Sequence, residues 1–172
     1  FTEYDVHSII RVGSCGALTE DVAVRDVILA SGACTDSSMN ALRFHGYDYA
    51  PVADFELLRR AHEVASSLED VTTHVGLILS SDSFYSPRVE LMKPMVDHGV
   101  LAVEMEASAL YTLAAAHRRS GKGQLNRRFG RDRDAQLLAQ FADQGFLRRF
   151  AGIDLAAGKL PEPRQLLALR AL

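Results

Sequence analysis

The sequence predicts an α/β fold on a mainly parallel or mixed sheet, and three observations predict it. Short β-branched apolar runs recur at 7–12, 24–33, 71–80 and 99–105, with the length and composition of buried strands. Segments with helical apolar spacing or strong helix formers lie among them and after them, at 55–68, 88–98 and 106–117. The chain has 172 residues, 48% apolar and 24% charged, which suits one domain with a substantial core. Alternation of this kind lays helices on the faces of a sheet, and ligands then collect in loops past the strand ends.

The elements follow in chain order. "HSIIRV" (7–12) reads as a buried strand that runs into "GSCGAL" (13–18), a loop with two glycines. "VRDVILASGA" (24–33) is a second strand. "TDSSMNALRFHGYDYAPVAD" (35–54) is polar and aromatic and reads as a long loop or lid. Asp54 can N-cap a helix over 55–68, with Leu58, Ala61, Ala65 and Leu68 on one face. "VTTHVGLILS" (71–80) is a strand and "SDSFYSP" (81–87) a loop closed by proline. A helix covers 88–98, with Pro94 as a defect in it. "GVLAVEM" (99–105) is strand-like and "EASALYTLAAAH" (106–117) is helical by propensity.

The composition changes after His117. Ten of the sixteen arginines lie in 118–172, and "RRSGKGQLNRRFGRDRD" (118–134) has no apolar periodicity. Two weak helical patterns follow, at 135–150 and 161–172, and no β-branched strand run is visible there. The division expected is therefore a core over 1–117 and an Arg-rich, partly helical tail over 118–172. The chain starts at Phe1 and reaches a strand within a few residues, so it reads as a piece of a longer one.

Bulk properties remove several function classes. A net charge of −3 gives no reason to expect nucleic acid or an acidic membrane surface as partner. No run approaches the ~18 apolar residues of a membrane span, and no signal peptide is visible. Cys15 and Cys34 form neither a CxxC pair nor a zinc spacing, and read as reduced thiols of a cytoplasmic protein. The six histidines show no metal-ligand spacing.

Three loops can carry chemistry. In "RVGSCGAL" a strand delivers Arg11, whose planar fork of donors matches phosphate oxygens, and Ser14 and nearby backbone N–H groups can complete an anion nest. The alternative is a tight turn with an arginine paired to an acid. In "SDSFYSP", Phe84 or Tyr85 can stack on a flat base, or cap the core. At the end of the 99–105 strand, Glu104 and Glu106 lie two apart and on a strand would share a face. A carboxylate there can accept hydrogen bonds from the vicinal hydroxyls of a sugar. Ordinary charge at a helix start explains Glu106 well and Glu104 poorly.

These pieces in this order resemble the nucleoside phosphorylase family, specifically the bacterial hexameric purine nucleoside phosphorylases. The matching stretches are "IIRVGSCGAL", "RDVILASGACTDSSMNALRF", "ADFELL", "SDSFYSP" and "VLAVEMEASALYTLAA", over residues 4–116. The resemblance implies a three-layer α/β fold around a mixed central sheet, incomplete here. It implies phosphorolysis of purine (deoxy)ribonucleosides to free base and (deoxy)ribose 1-phosphate, in purine salvage. Arg11 and Ser14 match the phosphate ligands. Cys15 and Gly16 would line the purine pocket, and Phe84 would pack against the base. Val103, Glu104 and Met105 match the segment beside the nucleoside, and Glu106 the carboxylate that grips the 2′ and 3′ hydroxyls. No metal or organic cofactor is implied, phosphate being a co-substrate, and the family assembles as a homo-oligomer, a hexamer.

The sequence departs from the family pattern in two places. The family's general acid is an aspartate in a Ser-Asp pair on a strand after the "VEMEA" helix. Residues 117–172 hold no Ser-Asp dipeptide, and Asp132, Asp134, Asp143 and Asp154 sit in polar or helical contexts. The segment before "IIRVGSCGA", which in the family carries a glycine and an arginine of the phosphate site, is also short. A frameshifted or rearranged gene end would produce the change at 117. Missing strands there would leave a bare sheet edge. Two alternatives stay open: a catalytically impaired remnant that binds nucleoside or only assembles, and a uridine phosphorylase or nucleosidase relative.

Overall fold

A computed structural model describes residues 8–69, 71–85, 89–120, 135–141 and 166–170. Among the described residues the strands are β1 (Ser8–Ser14), β2 (Gly16–Ala17), β3 (Val27–Thr35), β4 (Thr73–Ser80), β5 (Val100–Glu104), β6 (Ala135–Phe141) and β7 (Leu166–Arg170). They form a mixed sheet in the order β2-β5-β4-β3-β6-β1-β7. β3, β4 and β5 are mutually parallel, β2 runs antiparallel to β5, and β6 antiparallel to β3. Among the described residues the helices are α1 (Met39–Arg43), α2 (Phe55–Ser66), α3 (Lys93–Asp97) and α4 (Ala107–Ser120).

β3 shows why the fold has three layers. Its side chains alternate across the sheet, as a strand's must. Val27 and Leu29 pack toward Leu58 and Ala61 of α2, and Ile28 and Ala30 toward Ala107 and Tyr111 of α4. All four β3 residues are fully buried, so the strand needs apolar residues at consecutive positions. Tyr111 is buried as well, and its hydroxyl donates to the Ala30 carbonyl at 2.8 Å. α2 begins where the sequence predicts: Asp54 is its N-cap, accepting the Leu57 N–H at 3.1 Å.

The order of strands carries a geometric consequence. One residue, Cys15, separates β1 from β2, yet the two lie five places apart in the sheet. Five strand spacings of a flat sheet are about 24 Å, and one residue spans at most ~3.6 Å. The sheet therefore coils until β1 approaches β5. This closure brings residues of the first strand against the β5–α4 junction.

Several expectations are corrected. Residues 135–141 and 166–170 are strands and not the helices that their Leu- and Ala-rich composition predicts. β6 pairs with β1 on one side and β3 on the other, and β7 covers the far edge of β1. Backbone groups offered by neighbouring strands outweigh a weak local helix preference. The remaining parts of those two patterns lie outside the described residues, as do Asp132, Asp134, Asp143 and Asp154.

The 35–54 segment contains α1 and is tied to the sheet. Ala33 N–H donates to the Pro51 carbonyl at 3.0 Å and Ala53 N–H to the Ser31 carbonyl at 3.1 Å, beside a register shift in β3. Pro94 is no defect: a 3₁₀ turn over Val89–Met92 precedes it, and it occupies the first turn of α3, where its missing N–H costs nothing. Gly99 ends that helix at φ +83°, a conformation suited to glycine before the chain enters β5.

Candidate active site

The coil of the sheet sets Arg11 against Glu104 and Glu106, more than ninety residues away in sequence. Ile10 and Val12 of β1 face α2, so Arg11 between them points to the opposite side. Its guanidinium is buried. Nη2 donates to Glu106 Oε2, and Nη1 lies 3.7 Å from Glu104 Oε2. The alternative of an arginine paired to an acid is thus realised, with two acids.

The two carboxylates do different work, and the division is the reverse of the one their positions in sequence predict. β5 ends at Glu104, so the pair never shares a strand face. Glu104 has a side chain only 1% exposed and turns back over the start of α4. Its carboxylate accepts the Glu106 N–H at 2.8 Å, the Ala107 N–H at 2.9 Å and the Ser80 hydroxyl. Ser80 in turn accepts the Ser108 N–H at 2.9 Å. Three N–H groups left over at a helix start are thereby satisfied by one buried carboxylate and one hydroxyl. Helix-start charge explains Glu104. Glu106 has a side chain 51% exposed and reaches across to Arg11.

Burial pushes the Glu104 carboxyl above its ordinary value, and the hydrogen bonds from Ser80, Glu106 and Ala107, with the charge of Arg11, oppose that push. Cys15 packs against the core cluster under α4. Burial raises its thiol from 9.0 to about 11, the Glu104 charge adds to the rise and Arg11 works against it.

The remaining predicted residues fall into two groups. Gly16 pairs with Val103 in the β2–β5 ladder, which sets Cys15, Gly16 and Val103 side by side with Glu104. Ser14 is exposed at the end of β1, and Met105 is exposed between the two glutamates. Phe84 stands apart: it is 77% exposed, and its ring meets the edge of Tyr85 at 4.9 Å. Pro87, expected to close that loop, lies outside the described residues.

Sequence reasoning missed the supports. Ser80 is one, and the doubled serine at the end of a strand was its only local signal. Asp36 is another: it accepts the Ser81 hydroxyl at 2.8 Å and the Asp82 N–H at 2.9 Å, anchoring the loop that carries Phe84. Gly13 is a third. A Cβ there would sit 2.6 Å from Arg11 Nη1, so the guanidinium lies where any other residue would place its side chain.

Among the described residues no group of three or more His, Cys, Asp or Glu could hold a metal ion, and no helix is long and apolar enough to cross a membrane. The layers and the site together define a three-layer α/β protein with a buried guanidinium and two carboxylates held at one strand–helix junction. Residues 1–119 match the phosphorylase superfamily, and the chain belongs to that family. It is 52% identical over 114 residues to proteins named "Purine nucleoside phosphorylase DeoD-type" from Bacillus cereus, Bacillus thuringiensis and Bacillus mycoides. Each alignment covers 66% of this chain and 48% of the relative, so the chain spans about half the length of the curated relatives it matches.

Proposed function

We propose that this chain carries the phosphate-holding and ribose-holding parts of a purine nucleoside phosphorylase. The reaction displaces a purine from C1′ of a (deoxy)ribonucleoside by phosphate, giving free base and (deoxy)ribose 1-phosphate. The observation that supports it best is the approach of Arg11 to Glu106 at the β5–α4 junction. A donor fork for phosphate oxygens and an acceptor for sugar hydroxyls stand next to each other, as attack on C1′ requires.

The chemistry follows from that juxtaposition. Bond breaking at C1′ proceeds through an oxocarbenium-like state, with positive charge shared by the ring oxygen. Arg11 and Ser14 hold the phosphate, and Glu106 positions the ribose through its 2′ and 3′ hydroxyls. Holding both partners in line turns a bimolecular encounter into a unimolecular step, the largest single source of rate open to such a site. A phosphate dianion below C1′ also stabilises the developing charge. Cys15, Gly16, Val103 and Met105 line the nucleoside side, and Phe84 packs against the base. Phosphate is a co-substrate, and neither metal nor organic cofactor enters. The working form is a cytoplasmic homo-oligomer, hexameric as the resemblance implies, with no nucleic-acid or membrane partner.

A second version of this function rests on one sequence observation. Residues 117–172 hold no Ser-Asp dipeptide. The purine is a poor anionic leaving group, and loss of a general acid lowers the rate by about 10²–10⁴. The chain then binds both substrates and turns them over slowly.

Purified protein incubated with inosine, with and without phosphate, tests both versions, with uridine and methylthioadenosine in parallel and calorimetry for binding. Phosphate-dependent release of hypoxanthine supports the first, and saturable binding with little release supports the second. Preferred cleavage of uridine, or cleavage that ignores phosphate, moves the chain to a different branch. Absence of both binding and cleavage refutes the proposal.

A further inference from the structure

We propose that Glu106 and inorganic phosphate compete for the Arg11 guanidinium, so that each substrate of this site improves the binding of the other. The inference builds on the phosphorylase function proposed above, and it concerns how the two half-sites communicate.

Arg11 is the only cation placed between the two carboxylates among the described contacts of the site, and it is buried. One of its terminal nitrogens donates to Glu106 Oε2. The other lies 3.7 Å from Glu104, in the space that a Cβ on Gly13 would crowd. Glu104 is fixed by Ser80 and by the N–H groups of Glu106 and Ala107, so it cannot leave without uncapping α4. Glu106 has a half-exposed side chain at the helix start and is the one free to swing. Among the described residues two carboxylates face the guanidinium, and the one bonded to it, Glu106, opposes an incoming phosphate at short range. Moving the Glu106 carboxylate off Arg11 removes the nearer negative charge and releases the donors that phosphate needs.

The same carboxylate is the acceptor assigned to the ribose hydroxyls. A ribose that engages Glu106 draws it from Arg11, and a phosphate that engages Arg11 releases Glu106. Neither ligand touches the other's group, yet both favour the arrangement in which the ion pair is open. Thermodynamic linkage then requires positive and equal coupling in both directions.

The test compares the wild-type protein with Glu106→Gln by calorimetry, titrating inorganic phosphate with and without saturating inosine. The amide keeps the size of the carboxylate and removes its charge. Phosphate alone should bind the variant more tightly than the wild type, on the order of fivefold or more. Inosine should tighten phosphate binding to the wild type by a similar factor and leave the variant unchanged. Equal or weaker phosphate binding by Glu106→Gln overturns the proposal, as does no phosphate binding by either protein. An inosine effect of equal size in both proteins overturns it too. If neither protein binds inosine, the phosphorylase function fails, while the comparison with phosphate alone still decides the competition.

Discussion

Replacing Glu104 by alanine removes a carboxylate that is almost fully enclosed and accepts three donors, two backbone N–H groups and the Ser80 hydroxyl. Leaving one buried donor unsatisfied costs about 1–3 kcal/mol. Water entering the space left by the side chain recovers part of that, but the buried Arg11 guanidinium also loses a neighbouring charge. Glu106 still pairs with Arg11, so that part of the loss stays below the ~3–5 kcal/mol of leaving a buried charge alone, and the unsatisfied donors at the start of α4 carry most of the cost. Each kcal/mol is worth about 2–4 °C in a chain of this length, so the melting temperature should fall by ~10 °C or more. Glu104→Gln keeps the volume and an acceptor oxygen, and should cost about 1 kcal/mol at neutral pH. The pH dependence has a definite sign. Burial raises the Glu104 carboxyl above 4.5, so the folded protein holds this proton more tightly than the unfolded chain does. Its contribution therefore opposes folding at neutral pH, and the opposition is relieved as pH falls through the raised value toward 4.5. Glutamine cannot titrate, so the wild type should gain on Glu104→Gln over that window. Thermal and urea unfolding of the three proteins between pH 5 and 7.5 measures the effect. Equal stability of the alanine and glutamine variants, each within about 1 kcal/mol of wild type, would show that the cap of α4 does not depend on this carboxylate.

Two further predictions concern the groups around Arg11. Gly13→Ala places a methyl group on the guanidinium without removing any charge, and the displaced fork should lose a charge-assisted bond to phosphate, an affinity loss of about 10- to 100-fold by calorimetry. Unchanged phosphate affinity in a folded Gly13→Ala protein would contradict the assignment of Arg11 as anion ligand. Cys15 should be slow to alkylate, with its iodoacetamide rate rising to a midpoint near pH 11 when Cys15 and Cys34 peptides are separated by mass spectrometry. Arg11→Met removes the opposing charge and should move that midpoint higher still. A midpoint at or below 9.0 would contradict the burial of the thiol.

Local chemistry was enough to determine much of this protein. Consecutive apolar residues in 27–30 suit a strand buried on both faces, and that strand is β3, packed between α2 and α4. Asp54 before an apolar stripe is a helix start in sequence and in structure. The family was legible in the order of "RVGSCGAL", "SDSFYSP" and "VEMEA", since these loops end strands and carry the polar groups. Tertiary structure decided the rest. Residues 135–141 and 166–170 become strands because β1 and β3 offer them hydrogen-bonding edges, which a local pattern of Leu, Ala and Gln cannot reveal. The roles of the two glutamates depend on where β5 stops and α4 starts, a junction two residues long. Glu104 falls on the buried side and caps the helix, while Glu106 falls on the open side and meets an arginine delivered from the far end of the sheet by its coil. Sequence determines which groups are present at the end of each strand. Which of them meet depends on closure of the sheet, because contact between residues 11 and 106 is a property of the whole strand order and of no segment within it.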